Sequence, residues 1–306
     1  MNFKKILFLS CNLVLMCPLL QAYELPYVNL GLDSFLSGGP VRPKPGWYVE
    51  QYLEYYDAHK FVDACGGLLG GVPSPRFKVW VGITELIYEP NWDVLGGKFG
   101  FDSYIPYFFS STVSKNTLDI HDSGRGFGDL GLGMYIQWNP IMFRGRPILQ
   151  NRLEFFASFP TGKVFGSVNT LNPGNNLFFI DPYWSATLFL ADKWTLSWYL
   201  FYLICGKNRT THRKPGHTMH TNYSLAYEPI QNLYIGINGY FLQQLQDTSL
   251  CGKKIPSSKE RIFGIGPGGL YQFPHDMYLF IHFYVERFAR NRTEGVSFIT
   301  RFEKIF

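Results

Sequence analysis

Residues 129–138 read DLGLGMYIQW, and this stretch alternates between two kinds of side chain. The large apolar set is Leu130, Leu132, Met134, Ile136 and Trp138, and the small or polar set is Asp129, Gly131, Gly133, Tyr135 and Gln137. Successive side chains of a β-strand point to opposite faces, so a period of two predicts a strand with one apolar face. Residues 149–159 repeat the pattern, which predicts a sheet between an apolar and a polar environment.

The same period of two recurs from Gly46 to the end of the chain. The runs are 47–56, 77–89, 98–109, 129–138, 149–159, 177–190, 194–205, 218–228, 232–244, 261–272, 277–287 and 294–306. The connections after the first five odd runs are long, at 57–76, 110–126, 160–176, 206–217 and 245–260, and those after even runs are short. Long loops at one end and short turns at the other are typical of outer-membrane barrels. We therefore predict an all-β fold, a transmembrane antiparallel up-and-down β-barrel of about 12 strands.

The composition suits such a barrel. Charged residues make up 17% and aromatic residues 18% of the chain, whereas soluble domains carry roughly 25% charged residues. Aromatic rings favour the two membrane–water boundaries, and those near the expected strand ends are Trp47, Trp138 and Trp194 beside short turns and Phe109 and Phe159 beside long loops. The alternative, a soluble sandwich with a ring-filled core, does not explain the alternating loop lengths.

Both ends of the chain resemble targeting signals. Residues 1–22 have a basic start, an apolar middle and a small residue, Ala22, at the expected cleavage site, which predicts a signal peptide. Residues 23–45 lack periodicity and are expected to form a periplasmic or lumenal arm, followed by the barrel at 46–306. The terminal Phe306 resembles the signal read by the barrel-assembly machinery. The predicted location is the bacterial outer membrane.

The polar face of the strands gives the candidate site. Charged side chains facing lipid cost about 2–4 kcal/mol at mid-depth, so they are expected to point inward. The pore-lining candidates are Tyr48, Glu50, Tyr52, Glu54, Asp129, Arg152, Glu154, Asp181, Glu286, Arg301 and Glu303. They could set the selectivity of a pore, or they could fill a closed lumen as a salt-bridge network, because about twelve strands enclose a narrow interior. The arm could also plug this lumen.

Few motifs suggest catalysis or a bound cofactor. His121 and Ser123 have a spacing that places both on one face of a strand, where histidine could activate serine. Outer-membrane phospholipases and lipid A deacylases use such a pair, so a lipolytic barrel is an alternative. The Gly-rich pattern at 126–131 precedes a strand rather than the helix that a dinucleotide site needs, and the histidines between 212 and 220 lack a carboxylate or cysteine. No cofactor, metal or catalytic residue is predicted.

The expected outer loops are basic. Their cations are Lys207, Arg209, Arg213, Lys214, Lys253, Lys254, Lys259, Arg261, Arg290 and Arg292. Arginine suits phosphate, so the expected partners are outer-membrane lipids and lipopolysaccharide; the alternative is that these loops are merely soluble. Nucleic acid is not an expected partner. Cys65 and Cys251 also fall in these loops, and the sequence leaves open whether they form a disulfide.

Short Gly- and Pro-rich motifs carry a family resemblance. In order they are Pro43-Lys-Pro45-Gly46-Trp-Tyr48 with Tyr52 and Tyr55, Gly126-Phe-Gly128-Asp129, Pro160-Thr161-Gly162 with Asn169 and Gly174, Tyr240 with Gln243 and Asp247, Gly266-Pro267-Gly268 with Tyr271, and Glu294-Gly295. Together they resemble the outer-membrane channels associated with the MetA pathway of phenol degradation. The resemblance implies a barrel that passes small hydrophobic or aromatic solutes, and it assigns no ligand residue. The basic loops and Lys304 depart from the family pattern.

The sequence is therefore compatible with three functions. The first is a channel for small, hydrophobic or aromatic solutes. The second is a lipolytic barrel that uses His121 and Ser123. The third is a closed structural or adhesion barrel that binds lipopolysaccharide or a host ligand through its loops.

Overall fold

The computed structural model describes residues 23–39, 45–115, 117–122, 124–165 and 170–306. Twelve long strands dominate these residues. They are β1 (Gly46–Phe61), β2 (Arg76–Glu89), β3 (Gly97–Ser114), β4 (Leu130–Trp138), β5 (Arg146–Phe159), β6 (Tyr183–Ala191), β7 (Trp194–Cys205), β8 (Thr218–Ile230), β9 (Leu233–Gln244), β10 (Arg261–Phe273), β11 (Met277–Arg290) and β12 (Thr293–Ile305).

The twelve strands close into one antiparallel barrel. Each strand pairs with its neighbours in sequence, and β12 returns to pair with β1 from Ile305 opposite Tyr48 to Thr293 opposite Phe61. Closure gives every strand two partners, so no sheet edge leaves unpaired backbone groups in a hydrocarbon environment. The predicted 12-stranded up-and-down barrel is confirmed.

Burial alternates along the strands as predicted. On β4, Leu132 and Met134 are exposed on the outer wall, whereas Tyr135 and Gln137 are buried inside. The predicted girdle rings Trp47, Trp194, Phe109 and Phe159 are exposed, and Trp138 is half-buried. The barrel therefore has an apolar outer wall and an interior in which buried polar and apolar side chains are mixed.

The strands β1 and β3 run well past their predicted ends because bulges interrupt their period of two. A register shift between Ala58 and Lys60 precedes the end of β1 at Phe61. In β3 an extra residue, Phe109, lies between the residues that pair with Trp80 and Val81. A bulge flips the alternation while pairing continues, so a search for strict alternation ends these strands too early. The fifth strand also starts earlier than predicted, at Arg146.

The sixth strand is interrupted where one run, 177–190, is predicted. A short piece at Phe179–Ile180 precedes β6, and Pro182 between them has no N–H to donate to a ladder. Both pieces keep one register on β5, with Phe179 opposite Ser158 and Tyr183 opposite Glu154. They are thus one strand with a local break.

Smaller elements lie in the connections. The described residues include a 3₁₀ turn at Leu69–Gly71 and short strands at Asp93–Val94, His121–Asp122, Gly126–Phe127, Ile141–Phe143, Thr170–Leu171, Arg213–Lys214, Ser249–Leu250 and Lys253–Lys254. Arg213–Lys214, Ser249–Leu250 and Lys253–Lys254 form a three-stranded sheet across two long loops. In the described part of the chain, no helix has the length and apolar character needed to cross a membrane.

Candidate functional site

The N-terminal arm, residues 23–39, runs lengthwise through the lumen. At the long-loop end, the Tyr23 hydroxyl donates to the carbonyl oxygen of Val62 at 2.8 Å. At the short-turn end, the Gly38 N–H donates to Thr187 Oγ1 at 3.0 Å. Outer-membrane barrels place their long loops outside the cell, so the arm enters the lumen at the outer end and leaves it at the periplasmic end.

Two ion pairs hold the outer end of the arm. Glu24 pairs with Arg213 at 2.7 Å. Glu260 accepts the N–H groups of Glu24 and Leu25 at 2.8 and 2.9 Å and pairs with Arg292 at 3.1 Å. Burial raises the pKa of Glu260 to about 7 against the opposing effect of Arg292. Burial also raises the pKa of Glu24. Arg213 and Arg292, expected from the sequence to be loop cations, are thus engaged by this anchor.

A buried ionic triad holds the middle of the arm. Arg301 of β12 pairs with Asp33 of the arm and, at 3.1 Å, with Glu50 of β1. The Tyr52 hydroxyl lies 2.5 Å from Glu50 Oε2 and 3.1 Å from Asp33 Oδ1. The guanidinium also lies 3.6 Å from the centre of the Phe280 ring. Predicted pore-lining residues of two strands therefore meet at one arm residue.

Tyrosines satisfy two carboxylates in the outer half of the lumen. Tyr27 of the arm donates to Glu54 at 2.5 Å. Tyr56 and Tyr240 donate to the two oxygens of Glu286 at 2.7 and 2.8 Å. Tyrosines and carboxylates therefore form a hydrogen-bonded network in this part of the lumen.

Close packing fixes the course of the arm. Gly31 has a φ of +80°, and a Cβ there would lie 2.6 Å from the ring of Tyr284. The Tyr284 hydroxyl donates to the Gly31 carbonyl at 2.9 Å. Further along, the ring of Phe35 stacks on His282 with 5.6 Å between centroids. A residue without a side chain is needed where the arm crosses Tyr284.

Arg152 and Glu154 point inward but bind the barrel wall instead of the arm. The Arg152 guanidinium lies 4.0 Å from the centre of the Tyr135 ring and donates to Gln137 Oε1 at 2.8 Å. Glu154 accepts a hydrogen bond from the Tyr183 hydroxyl. These two candidates therefore belong to a polar wall that the arm covers.

Asp129 and Asp181 lie outside the long strands. Asp129 accepts the backbone N–H groups of Gly162 and Asn175, each at 2.8 Å, and so fixes the following long loop to the start of β4. Asp181 lies at the break of the sixth strand, with Oδ2 at 2.8 Å from Nε2 of His220. Both carboxylates are buried, and their geometry is that of structural ties.

The remaining candidates lie toward the periplasmic end. Tyr48 is buried on β1, and Glu303 of β12 stands directly opposite Glu50. Phe306 is exposed, and its N–H donates to the carbonyl of Trp47 at 2.9 Å, extending the β1–β12 ladder by one bond.

The sequence reasoning missed several lumenal residues. Glu85 and Asp102 alternate with apolar residues on β2 and β3, so the strand period could have placed both inside. Glu85 lies 3.2 Å from the Tyr52 hydroxyl, and Asp102 is buried. No sequence pattern could have placed Asp33 in the lumen, because the arm has no periodicity.

A cavity of about 370 Å³ remains beside the arm at the outer end of the lumen. Arm residues and the inner faces of β2 and β3 supply most of its apolar lining, and carboxylate, amide, guanidinium and hydroxyl groups supply nearly half of the lining surface. The lining includes Tyr27, Val28 and Leu30 of the arm, Phe77, Val79, Val81 and Phe108 of the wall, Val164 and Phe165 of a long loop, and the polar residues Glu54, Asn175 and Arg292. Ligand pockets are commonly of this size and character.

The structure gives little support to the remaining sequence motifs, which are the His121/Ser123 pair, a metal site and a disulfide. Ser123 lies outside the described residues, and only the backbone of His121 is described, in a short parallel bridge to Thr170. No group of three or more His, Cys, Asp or Glu residues could hold a metal ion in the described ranges. Cys65 and Cys251 are exposed free thiols, and Cys205 is a buried one.

Comparisons with known proteins agree with this architecture. A family model described as "Putative MetA-pathway of phenol degradation" matches residues 58–302. No curated protein sequence matches the chain. The COG4313 outer membrane channel from Pseudomonas putida F1 superposes with a TM-score of 0.75 at 13% identity, over 92% of this chain and 100% of that one.

Two other solved barrels are more distant. The CymD monoaromatic hydrocarbon channel has a TM-score of 0.45 at 8% identity, over 87% of this chain and 90% of that one. The transport unit of the autotransporter AIDA-I from Escherichia coli has a TM-score of 0.48 at 8% identity, over 94% and 96%. The Pseudomonas superposition shows that the chain has an outer-membrane barrel fold.

Proposed function

Because the chain belongs to the family of the MetA pathway of phenol degradation, we propose that it is an outer-membrane channel for small hydrophobic or aromatic solutes. The N-terminal arm occupies its lumen, where Leu32, Asp33, Ser34 and Phe35 are buried. The family membership and the barrel fold support the channel, and the lining of the outer cavity supports the solute class.

The outer cavity is the observation that carries this proposal. Its wall presents Val79, Val81 and Phe108 to a space of about 370 Å³, and Tyr27 and Val28 of the arm face them. A small aromatic molecule entering from outside would bury its apolar surface here. The polar groups of the lining, among them Glu54 and Asn175, could orient a hydroxyl group.

Passage through the barrel needs the arm to move. Leu32, Asp33, Ser34 and Phe35 are buried inside the barrel, and the triad at Arg301 ties the arm at this level to the wall formed by β1 and β12. We infer that solute entering the outer cavity waits until the arm shifts toward the periplasm. The same burial is what a permanently closed structural or adhesion barrel would show, so that function is the second candidate.

Solute flux through the purified protein separates the two candidates. We expect small single-channel conductance from the full chain in planar bilayers and larger conductance after deletion of residues 23–39. Proteoliposomes should take up phenol-sized aromatics faster than protein-free liposomes. The variant Val81→Trp should slow this uptake several-fold, since it fills the outer cavity.

The matched control is Leu86→Trp on the same strand, because Leu86 is exposed on the outer wall. It adds the same ring without entering the lumen and should leave uptake unchanged. Tight liposomes with both the full chain and the arm deletion would refute the channel and leave the closed barrel. Equal uptake by wild type and Val81→Trp would refute the outer cavity as the solute site.

Secretion and insertion into the outer membrane are part of the same proposal. The outer-membrane fold fits secretion with cleavage near Ala22 and insertion by the barrel-assembly machinery through Phe306. Residues 1–22 lie outside the described part of the chain. The lipolytic alternative gains no support, because the side chains of His121 and Ser123 are not described.

A further inference from the structure

Three arginines project from the outer wall of the barrel at its long-loop end. They are Arg261 at the start of β10 and Arg287 and Arg290 at the end of β11. Their neighbours Ile262, Glu286 and Ala289 are buried inside, so alternation turns the arginines outward. Arg287 and Arg290 are exposed and Arg261 is half-buried.

The pairing of β10 with β11 brings these cations together. Arg261 stands directly opposite Arg290 in the antiparallel register, and Phe263 stands opposite Arg287. Like charges placed directly opposite each other destabilise a sheet. A sheet retains such a pair at lower cost when an anion neutralises it.

The barrel's own carboxylates do not fill that role. Among the described residues, neither Arg261 nor Arg290 has a carboxylate within 4.0 Å. Glu294 lies 4.0 Å from Arg287 but is held more tightly by Lys60 at 2.7 Å. The Nε of Arg261 donates to the Phe288 carbonyl, so its terminal nitrogens remain available.

Apolar side chains lie directly beside the arginines on the same wall. The rings of Phe263 and Phe288 contact each other, with 6.2 Å between centroids. Ile265 on β10 and Phe298 on β12 are exposed nearer the barrel middle. A lipid with a phosphorylated headgroup would find cations at headgroup depth and apolar surface at acyl-chain depth.

We propose that Arg261, Arg287 and Arg290 form a binding site for the phosphate groups of lipopolysaccharide in the outer leaflet. Guanidinium groups bind phosphate through paired N–H donors, and the acyl chains pack on Phe263, Ile265 and Phe298. This site sharpens the sequence expectation about basic loops, since it lies on the lipid-facing wall. It is independent of whether the lumen conducts.

Binding of lipid A to the full chain in phosphatidylcholine nanodiscs tests the site. Wild-type protein should bind diphosphoryl lipid A more tightly than dephosphorylated lipid A. The triple variant Arg261→Gln/Arg287→Gln/Arg290→Gln should weaken binding by about tenfold for each arginine lost. The single variant Arg290→Gln should weaken it less and should fold readily, because it removes a like-charge pair.

The matched control is Lys253→Gln/Lys254→Gln/Lys259→Gln, which removes three exposed cations from the neighbouring long loop. It should keep near wild-type affinity. An equal loss in both triple variants would overturn the site in favour of general attraction to positive charge. Wild-type affinity in the arginine variants, equal binding of dephosphorylated lipid A, or displacement by millimolar inorganic phosphate would also overturn it.

Discussion

Replacing Arg301 by Gln should release the arm from the lumen. The guanidinium lies between Asp33 and Glu50, and its side chain is 8% exposed. Removing one member of a buried ionic group costs about 3–5 kcal/mol, because the partners are left as uncompensated buried charges. This cost raises the free energy of the docked state only, because water solvates Asp33 once the arm is released. The equilibrium should shift toward the released arm by roughly two to three and a half powers of ten.

A cysteine at position 34 would report this shift. Ser34 is fully buried beside His282, so a thiol there reacts only after the arm leaves. The measurement is the labelling rate of Ser34→Cys by a small charged thiol reagent, in a Cys65→Ser/Cys251→Ser background. Cys205 stays, since it is buried. Arg301→Gln should raise the rate by the same factor as the docking equilibrium, until release becomes rate-limiting.

A double-mutant cycle separates the ionic triad from general loosening. Asp33→Asn alone should raise labelling by about tenfold or less, because Arg301 keeps Glu50. Asp33→Asn combined with Arg301→Gln should label more slowly than Arg301→Gln alone, because one stranded carboxylate is gone. An unchanged labelling rate in Arg301→Gln would refute the triad as the central anchor. Strictly additive effects would refute the direct coupling of Asp33 to Arg301.

Three further predictions concern the outer anchor, the packed lumen and the C-terminus. First, the docked pKa of Glu260 is about 7 while an exposed Glu has a pKa of about 4.3. Release of the arm exposes Glu260 to water and lowers this pKa, so docking should be strongest below about pH 4 and should weaken as the pH rises through 7. The labelling rate at position 34, divided by that of a free cysteine at each pH because the thiolate is the reactive form, should rise with pH in wild type and stay nearly flat in Glu260→Gln; a flat normalised wild-type profile would contradict this. Second, a Cβ at Gly131 meets Tyr104 and Phe156 at 2.2 and 2.4 Å. Gly131→Leu should therefore lower stability by about 1–3 kcal/mol, read as a lower midpoint of heat-modified gel migration; an unchanged midpoint would mean that the rings give way. Third, deletion of the exposed Phe306 should reduce the amount inserted into the outer membrane while the inserted fraction keeps its melting midpoint. Equal insertion would rule out the terminal signal.

The strands were predictable because one environment lies on each side of every strand. A lipid-facing position such as Leu132 requires an apolar side chain, whereas a lumen-facing position such as Gln137 accepts a polar one. The period of two in the sequence reflects both requirements. The pattern fails where the chain geometry changes, as at the bulge near Phe109 and the break at Pro182, and it misses the first residues of β5. Neither failure alters the order of strands, since pairing continues through both.

The contacts between the arm and the barrel wall could not be predicted from the period of two, for a physical reason. Its residues contact the wall through single, irregular hydrogen bonds, and each partner lies far away in sequence. Asp33 meets Arg301 across 268 positions, and the Gly31 N–H meets Asn222 across 191. No local pattern encodes such pairs. The inward direction of Glu50 and Arg301 was predictable, but their use as an anchor for the arm was not.

The way the arm is held suits a plug that leaves. Its ion pairs with Arg213 and Arg301 are buried, and the desolvation cost of buried ion pairs offsets much of their attraction. When the arm withdraws, water can enter and solvate Glu50 and Arg301, so the emptied lumen loses far less than an emptied apolar core would. The wall itself loses no backbone pairing, because β1 and β12 close the barrel without the arm. The arm also buries Val28, Leu32 and Phe35 against apolar residues of the wall, so exposing these side chains is the apolar part of the cost of withdrawal. The lumen-facing polar residues are compatible in sequence with either an open pore or a filled interior. They thus suit a barrel that alternates between these two states.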